Sequence, residues 1–277
     1  MPRANRNFVP GLVWHVTHRC HKKEFLLKFR RDKMLWIGWM HEAKRRFGLI
    51  ILNFMITSNH IHLMATAADG RAEAASRPIS LAMQLAHSRV AQQYNLRKNR
   101  RGAFWEDRFH ATAIETGAQL ARCLTYVDMN MVRAGVAGHP RDWQFCGYRE
   151  MARPALRPRL RLVDPDALAD LTGAAHDSGS LLRMRDEWIE QAIRKGQVER
   201  EPLWTESLAV GGEAFLKRVA SDLGGRAGAA GIVRAGESFA LWRSRSSGIL
   251  APSEPSGLES CASLSGAGDR IAVHSRG

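Results

Sequence analysis

Residues 49–56 (LIILNFMI) form an apolar run with no charged side chain, and Thr57-Ser58-Asn59 interrupts it before apolar character resumes in residues 60–66. Two runs of strand length separated by turn-forming residues read as a hairpin. That hairpin constrains everything around it. Residues 11–17 (GLVWHVT), rich in Val, Trp and Thr, read as a preceding strand. Between them, residues 32–47 read as a helix. Asp32 is placed to cap its start, Trp36, Met40, Ala43 and Phe47 make a stripe, and Gly48 stops it. A polar loop (residues 67–76) leads to a second helix from Pro78 to about Arg97, with Ile79, Met83, Ala86 and Val90 on its buried side. Residues 108–114 read as a fourth strand and 117–131 as a third helix. The order β-α-β-β-α-β predicts an α+β fold, ferredoxin-like, with a four-stranded antiparallel sheet and helices on one face.

Beyond Glu150 the pattern weakens. Residues 164–172, 180–195 and 213–223 each suit a short helix. From Gly224 onward the chain is rich in Gly, Ser and Ala without periodicity. We therefore expect a first domain over 1–150, a helical extension over 151–223, and a disordered tail over 224–277.

Lys and Arg number 41 against 27 Asp and Glu, a formal charge of +14 over 277 residues. Such an excess favours a polyanionic partner, nucleic acid before an anionic membrane surface. No apolar run reaches the roughly 20 residues that span a bilayer. Cys20, Cys123, Cys146 and Cys261 are scattered, with no Cys-x-x-Cys pair. Free thiols and no export signal behind the first residues point to the cytoplasm.

His60 and His62 lie one residue apart on the second hairpin strand, so both rings project from the same face, opposite Ile61 and Leu63. Such a pair can share one divalent metal. On the third helix, Leu120, Leu124, Val127 and Met131 make the core stripe, and Arg122, Tyr126, Asn130 and Arg133 fall on another, away from it. A solvated histidine pair and a rim tyrosine are the bland readings of these features taken singly.

As a set they carry a resemblance. TSNHIHLM (57–64), GAFWEDRF (102–109) and YVDMNMVRAG (126–135), with WHVTHRC (14–20) as first strand, resemble the IS200/IS605-type single-tyrosine transposases of the HUH nuclease superfamily. The likeness is closest to the REP-associated tyrosine transposases and spans roughly residues 9–148. It implies that His60, His62 and Asn130 hold Mg²⁺ or Mn²⁺, and that Tyr126 is the nucleophile. The expected reaction cuts and rejoins single-stranded DNA at hairpin-forming repeats through a 5′-phosphotyrosine, in a monomer or homodimer. Two departures stand out. Thr57-Ser58 replaces the family's usual Met-Pro, and Met131 replaces its usual Pro, which would let the helix run a turn further.

For holding DNA, the loop cations Arg97, Lys98, Arg100 and Arg101 suit phosphate contacts, with Arg108 nearby and Trp105 available to stack on a base. Lys22-Lys23 and Arg30-Arg31 are further basic pairs. Arg122 and Arg133, flanking Tyr126, are expected to favour its phenolate. His15, His18, His87 and His110 read as structural or surface residues. Two alternatives remain at this level: a catalytically idle hairpin-DNA binder of the same fold, and a metal-dependent hydrolase in which Tyr126 is incidental.

Overall fold

Strand β1 (Val13–Arg19) leads into helix α1 (Arg30–Phe47), the hairpin β2 (Leu49–Ile56) and β3 (His60–Ala67), helix α2 (Pro78–Arg97) and strand β4 (His110–Ile114). These elements belong to a computed structural model that describes residues 8–67, 78–196, 199–226, 229–236 and 238–243. Most of the polar loop expected over 67–76 lies outside the described residues, as does Cys261. The strands pair antiparallel in the order β2-β3-β1-β4, and α1 packs on α2 over one face. The ferredoxin-like arrangement is thus present. Trp14, Val16, Phe54, Ile61 and Leu63 point to that face and are buried with Trp36, Met40, Met83 and Val90 of the two helices.

Asp32 does not cap α1. The N-cap is Phe29, without a side-chain cap bond. Asp32 is buried one turn in, where Arg97 at the end of α2 pairs with its carboxylate. Burial disfavours the ionised carboxylate, and the Arg97 cation opposes that penalty.

The chain continues through α3 (Ala118–Asp128), α4 (Asn130–Arg133), α5 (Gly147–Ala152), α6 (Pro165–Thr172), α7 (Ser178–Arg194), α8 (Leu203–Glu206), β5 (Ala209–Gly211), α9 (Glu213–Leu223), β6 (Ala230–Ala235) and β7 (Ser238–Arg243). Three expectations are corrected here. The sheet has seven strands, not four, in the order β2-β3-β1-β4-β5-β7-β6. β5 pairs parallel to β4 and covers what would be an open sheet edge. Helices also cover both faces: α3 and α7 lie on the side away from α1 and α2, with Val13, Leu52, Met55, Met64 and Ile114 beneath them.

The third correction concerns the tail. Ala230–Ala235 and Ser238–Arg243 pair antiparallel in the sheet, with Ala240, Leu241 and Trp242 buried. The disordered segment expected from Gly224 is therefore ordered through its first part, and residues 244–277 lie outside the described residues. The sheet also crosses the boundary expected at residue 150. Among the described residues no helix is long and apolar enough to cross a membrane.

A buried polar network joins the second face. A register shift between Ile51 and Asn53 marks a bulge in β2. Asn53, fully buried, donates to Asp128 Oδ1 at 2.9 Å, and Arg185 of α7 donates to Asp128 Oδ2 at 2.5 Å. Gly147 lies against this bulge so closely that a Cβ there would stand 2.3 Å from Asn53 Oδ1 and 3.1 Å from the Phe54 nitrogen. Only glycine fits.

Candidate active site

The register of β1 against β3 places Thr17 opposite His62 and Arg19 opposite His60. The histidine pair therefore lies near the C-terminal end of β1, on the sheet face that α3 covers. The two rings are 5.0 Å apart, centroid to centroid. Their hydrogen bonds fix which nitrogen carries the proton. His15, on the same face of β1, has Nδ1 2.8 Å from the Trp204 carbonyl, so Nδ1 must donate and Nε2 accept. His62 Nδ1 lies 2.9 Å from that Nε2 and donates to it. His60 Nδ1 donates to Asn59 Oδ1 at 2.8 Å. Both His60 and His62 are thus left with an unprotonated Nε2.

Burial, reinforced by Arg19 and Arg133, pushes the His60 pKa down to about 4. Burial does the same to His15, also to about 4, and takes His62 well below the ordinary histidine value. All three rings are neutral at neutral pH, the form that binds a cation.

Asn130 reaches this pair because α3 ends at Met129 (φ −72°, ψ −1°) and a short second helix begins. The continuous helix expected over 117–131 is thus interrupted at Met129, while the run past Met131 does occur, to Arg133. Gly135 (φ +66°) ends the second helix in the left-handed conformation that explains a glycine after Arg133-Ala134. The Asn130 amide nitrogen lies 2.9 Å from His62 Nε2, and its side chain also contacts His60. Here the amide donates. A half-turn of its plane would present Oδ1 to the His62 lone pair's side of the cleft instead. No trio of His, Cys, Asp or Glu among the described residues competes as a metal site. Two imidazole nitrogens and an amide oxygen are a donor set that could hold a divalent cation.

Tyr126 sits one turn before Asn130, its ring 6.2 Å from His62 and 6.3 Å from His15. The helical wheel puts it on the polar stripe, yet it is only 6% exposed. Trp204 of α8 closes over it at 6.2 Å. The Arg133 guanidinium stands 4.1 Å from the ring centroid, and its Nη1 donates to the Tyr126 carbonyl at 2.8 Å. Burial raises the phenol pKa, and Arg133 and Arg200 oppose it. The expected pair of cations flanking Tyr126 is therefore half right. Arg122 donates instead to Ser238 Oγ of β7 at 2.7 Å, away from the phenol. Arg200 takes its place, held by Glu206 at 2.6 Å.

These side chains open into one cleft of about 740 Å³. His60, His62, Tyr126 and Asn130 lie on its wall with Arg19, Lys23, Arg108, Arg133 and Arg200, against Glu106, Asp107 and Glu206. The cations outnumber the acids, as a phosphodiester would require.

The remaining sequence candidates scatter. Arg97 is committed to Asp32 and stacks over Tyr94. Arg100 bonds the Ala103 carbonyl and faces Glu24. Lys98 and Arg101 are exposed. Trp105 is half-buried. Its ring packs on His87 at 4.2 Å and on His18 at 4.7 Å, and its Nε1 donates to the His87 carbonyl. His110 bonds the Ser207 carbonyl at 2.8 Å, as a structural residue would. Sequence reasoning missed Arg200 and Trp204. Both come from a segment more than seventy residues past Tyr126, with no local motif to flag it.

The arrangement defines a class of site, namely two neutral imidazoles and an amide beside a buried tyrosine in a cationic cleft. Two solved structures are similar to the chain. One is a REP-associated tyrosine transposase bound to a REP hairpin, at 20% identity and TM-score 0.43, covering 56% of this chain and 87% of the other. The second is a protein from Deinococcus radiodurans R1 assigned as a transposase, at 11% identity and TM-score 0.30, covering 48% and 92%. No family profile and no curated protein matches the sequence.

Proposed function

We propose that this protein is a metal-dependent single-strand DNA transposase that cuts and rejoins DNA through a 5′-phosphotyrosine on Tyr126. One observation carries the reading. Tyr126 and Asn130, on helices more than sixty residues along the chain from the histidine pair, converge on the unprotonated Nε2 atoms of His60 and His62 within one cationic cleft. The bland readings of a solvated histidine pair and a rim tyrosine do not account for that convergence.

In the proposed reaction the Tyr126 oxygen attacks the scissile phosphorus. The phosphorus–O3′ bond breaks, the phenolic proton is lost, and the departing 3′ oxygen gains one. Arg133, over the phenol ring, and Arg200, across the cleft, stabilise the phenolate that must form because burial holds the resting phenol protonated. Arg19, Lys23 and Arg108 line the path of the sugar–phosphate chain. Mg²⁺ or Mn²⁺ held by His60, His62 and Asn130 would polarise the scissile phosphate and offset the charge building on its oxygens. The phosphotyrosine keeps the energy of the diester, so a 3′-OH can attack it and restore the tyrosine without ATP. Hairpin-forming repeats are the targets that the motif resemblance implies.

The test is covalent trapping on single-stranded oligonucleotides drawn from the DNA flanking the gene, with and without chelator. A metal-dependent protein–DNA adduct supports the proposal. Salt-sensitive binding without adduct would favour the idle hairpin binder, and cleavage with turnover but no adduct the hydrolase.

A further inference from the structure

The loop between β1 and α1 exposes two large aromatic side chains, Phe25 (66% exposed) and Phe29 (57%), while the two residues next to Phe25, Leu26 and Leu27, are buried at 7% and 0%. The exposure is built in. Lys33 of α1, itself 2% exposed, donates its ammonium to the Leu27 carbonyl at 2.6 Å and the Lys28 carbonyl at 2.8 Å. The Leu27 nitrogen donates to the Ser58 carbonyl at 2.9 Å, and Asn59 Nδ2 to the Lys23 carbonyl at 3.2 Å. A loop pinned at this many points cannot fold its phenylalanines inward. Two exposed aromatic rings held in one pinned loop mark a contact site.

The surroundings specify the contact. Lys28 and Lys98 place their ammonium groups 5.9 and 5.6 Å from the Phe29 ring. Lys22, Lys23, Arg30 and Arg31 are exposed in the same stretch. The acids there are occupied: Asp32 by Arg97, and Glu24 by Arg100 at 3.4 Å. Exposed apolar rings among cations, two of them lying over the Phe29 ring, match a polymer of phosphates with unpaired bases. A duplex hides its base faces, so a single strand is the better fit.

Position supplies the second argument. Ser58 and Asn59, which pin the loop, immediately precede His60, and Lys23 belongs both to the loop and to the wall of the Tyr126 cleft. A strand leaving the cleft past Lys23 meets Phe25 next. We propose that Phe25 and Phe29 form a base-stacking platform for single-stranded DNA outside the cleft. This deepens the reading of the Tyr126 site and rests on it for the identity of the strand.

The test is fluorescence anisotropy on the full-length chain with a labelled single strand of about 20 nucleotides, its duplex, and phosphatidylserine-containing vesicles. Phe25→Ala/Phe29→Ala should weaken single-strand binding by at least about 30-fold, the lower end expected for two stacking rings. Duplex binding should change far less, with the melting temperature unmoved because both rings are exposed. Phe25→Tyr/Phe29→Tyr should restore the affinity. Unchanged single-strand affinity overturns the proposal. So does an equal loss on duplex, or a loss of vesicle binding or of self-association in place of DNA binding. Adduct formation is scored separately. If the wild-type protein forms none, the proposed reaction fails while the platform is still judged by anisotropy.

Discussion

His15 shows how much one hydrogen bond decides. Anchored by the Trp204 carbonyl, it can only accept from His62, and that choice directs the His62 lone pair into the cleft. The sequence places His60, His62, Tyr126 and Asn130 because spacing along a strand and a helix is local information. It does not reveal the role of His15, since that depends on a carbonyl 189 residues away. The same burial sets a pH dependence. His15 and His60 have folded pKa values of about 4 against an ordinary 6.5. As pH falls from 6.5 towards 4 the unfolded chain takes up protons that the folded one refuses, so stability is full above 6.5 and declines through this window. The limit is about 3 kcal/mol per ring. Urea unfolding at pH 7, 5.5 and 4.5 checks this. A stability that is flat down to pH 4.5 contradicts it.

At the scale of elements, what holds Tyr126 and Asn130 in place is the junction between α3 and α4. Asp128 lies midway between them and is buried against Asn53 and Arg185. Asp128→Ala leaves the Arg185 guanidinium buried and unpaired, so it should cost about 3–5 kcal/mol of stability. Chemical denaturation measures this, and a loss under about 1 kcal/mol would mean the network is ornamental. Long apolar or strongly periodic elements were legible in the sequence: β2, β3, α1, α2 and α9 match their expected spans to within two residues at either end. The helix break at Met129 was not, because every residue around it is compatible with helix. Asp32 misled for a related reason. A carboxylate at a helix start has cap chemistry, but its partner Arg97 is 65 residues distant.

Over the whole molecule, the sheet that carries the histidines extends through β5 and β7 to β6, and the C-terminal segment closes the cleft with Trp204 and Arg200. Glycine and alanine hide β6 and β7 from a composition-based reading, although Ile232-Val233 and Phe239 to Trp242 flanking Gly236 carry a hairpin signal in hindsight. Truncation after Gly224 should therefore destabilise the protein, because it uncovers β5 and removes the buried Leu241 and Trp242. Truncation after Gly224 should lower the melting temperature further than truncation after Arg243, which keeps the hairpin. Equal melting of both truncated forms would detach the hairpin from the fold. The central claim is that this architecture exists to present Tyr126 to DNA held at the histidine pair. It is tested most directly by comparing Tyr126→Phe with Tyr148→Phe, whose hydroxyl bonds Asp186, in denaturing-gel assays of covalent adduct on single-stranded DNA. Tyr126→Phe should fold, bind DNA near wild-type affinity and form no adduct, while Tyr148→Phe should still form it. Adduct that survives in Tyr126→Phe would contradict the account.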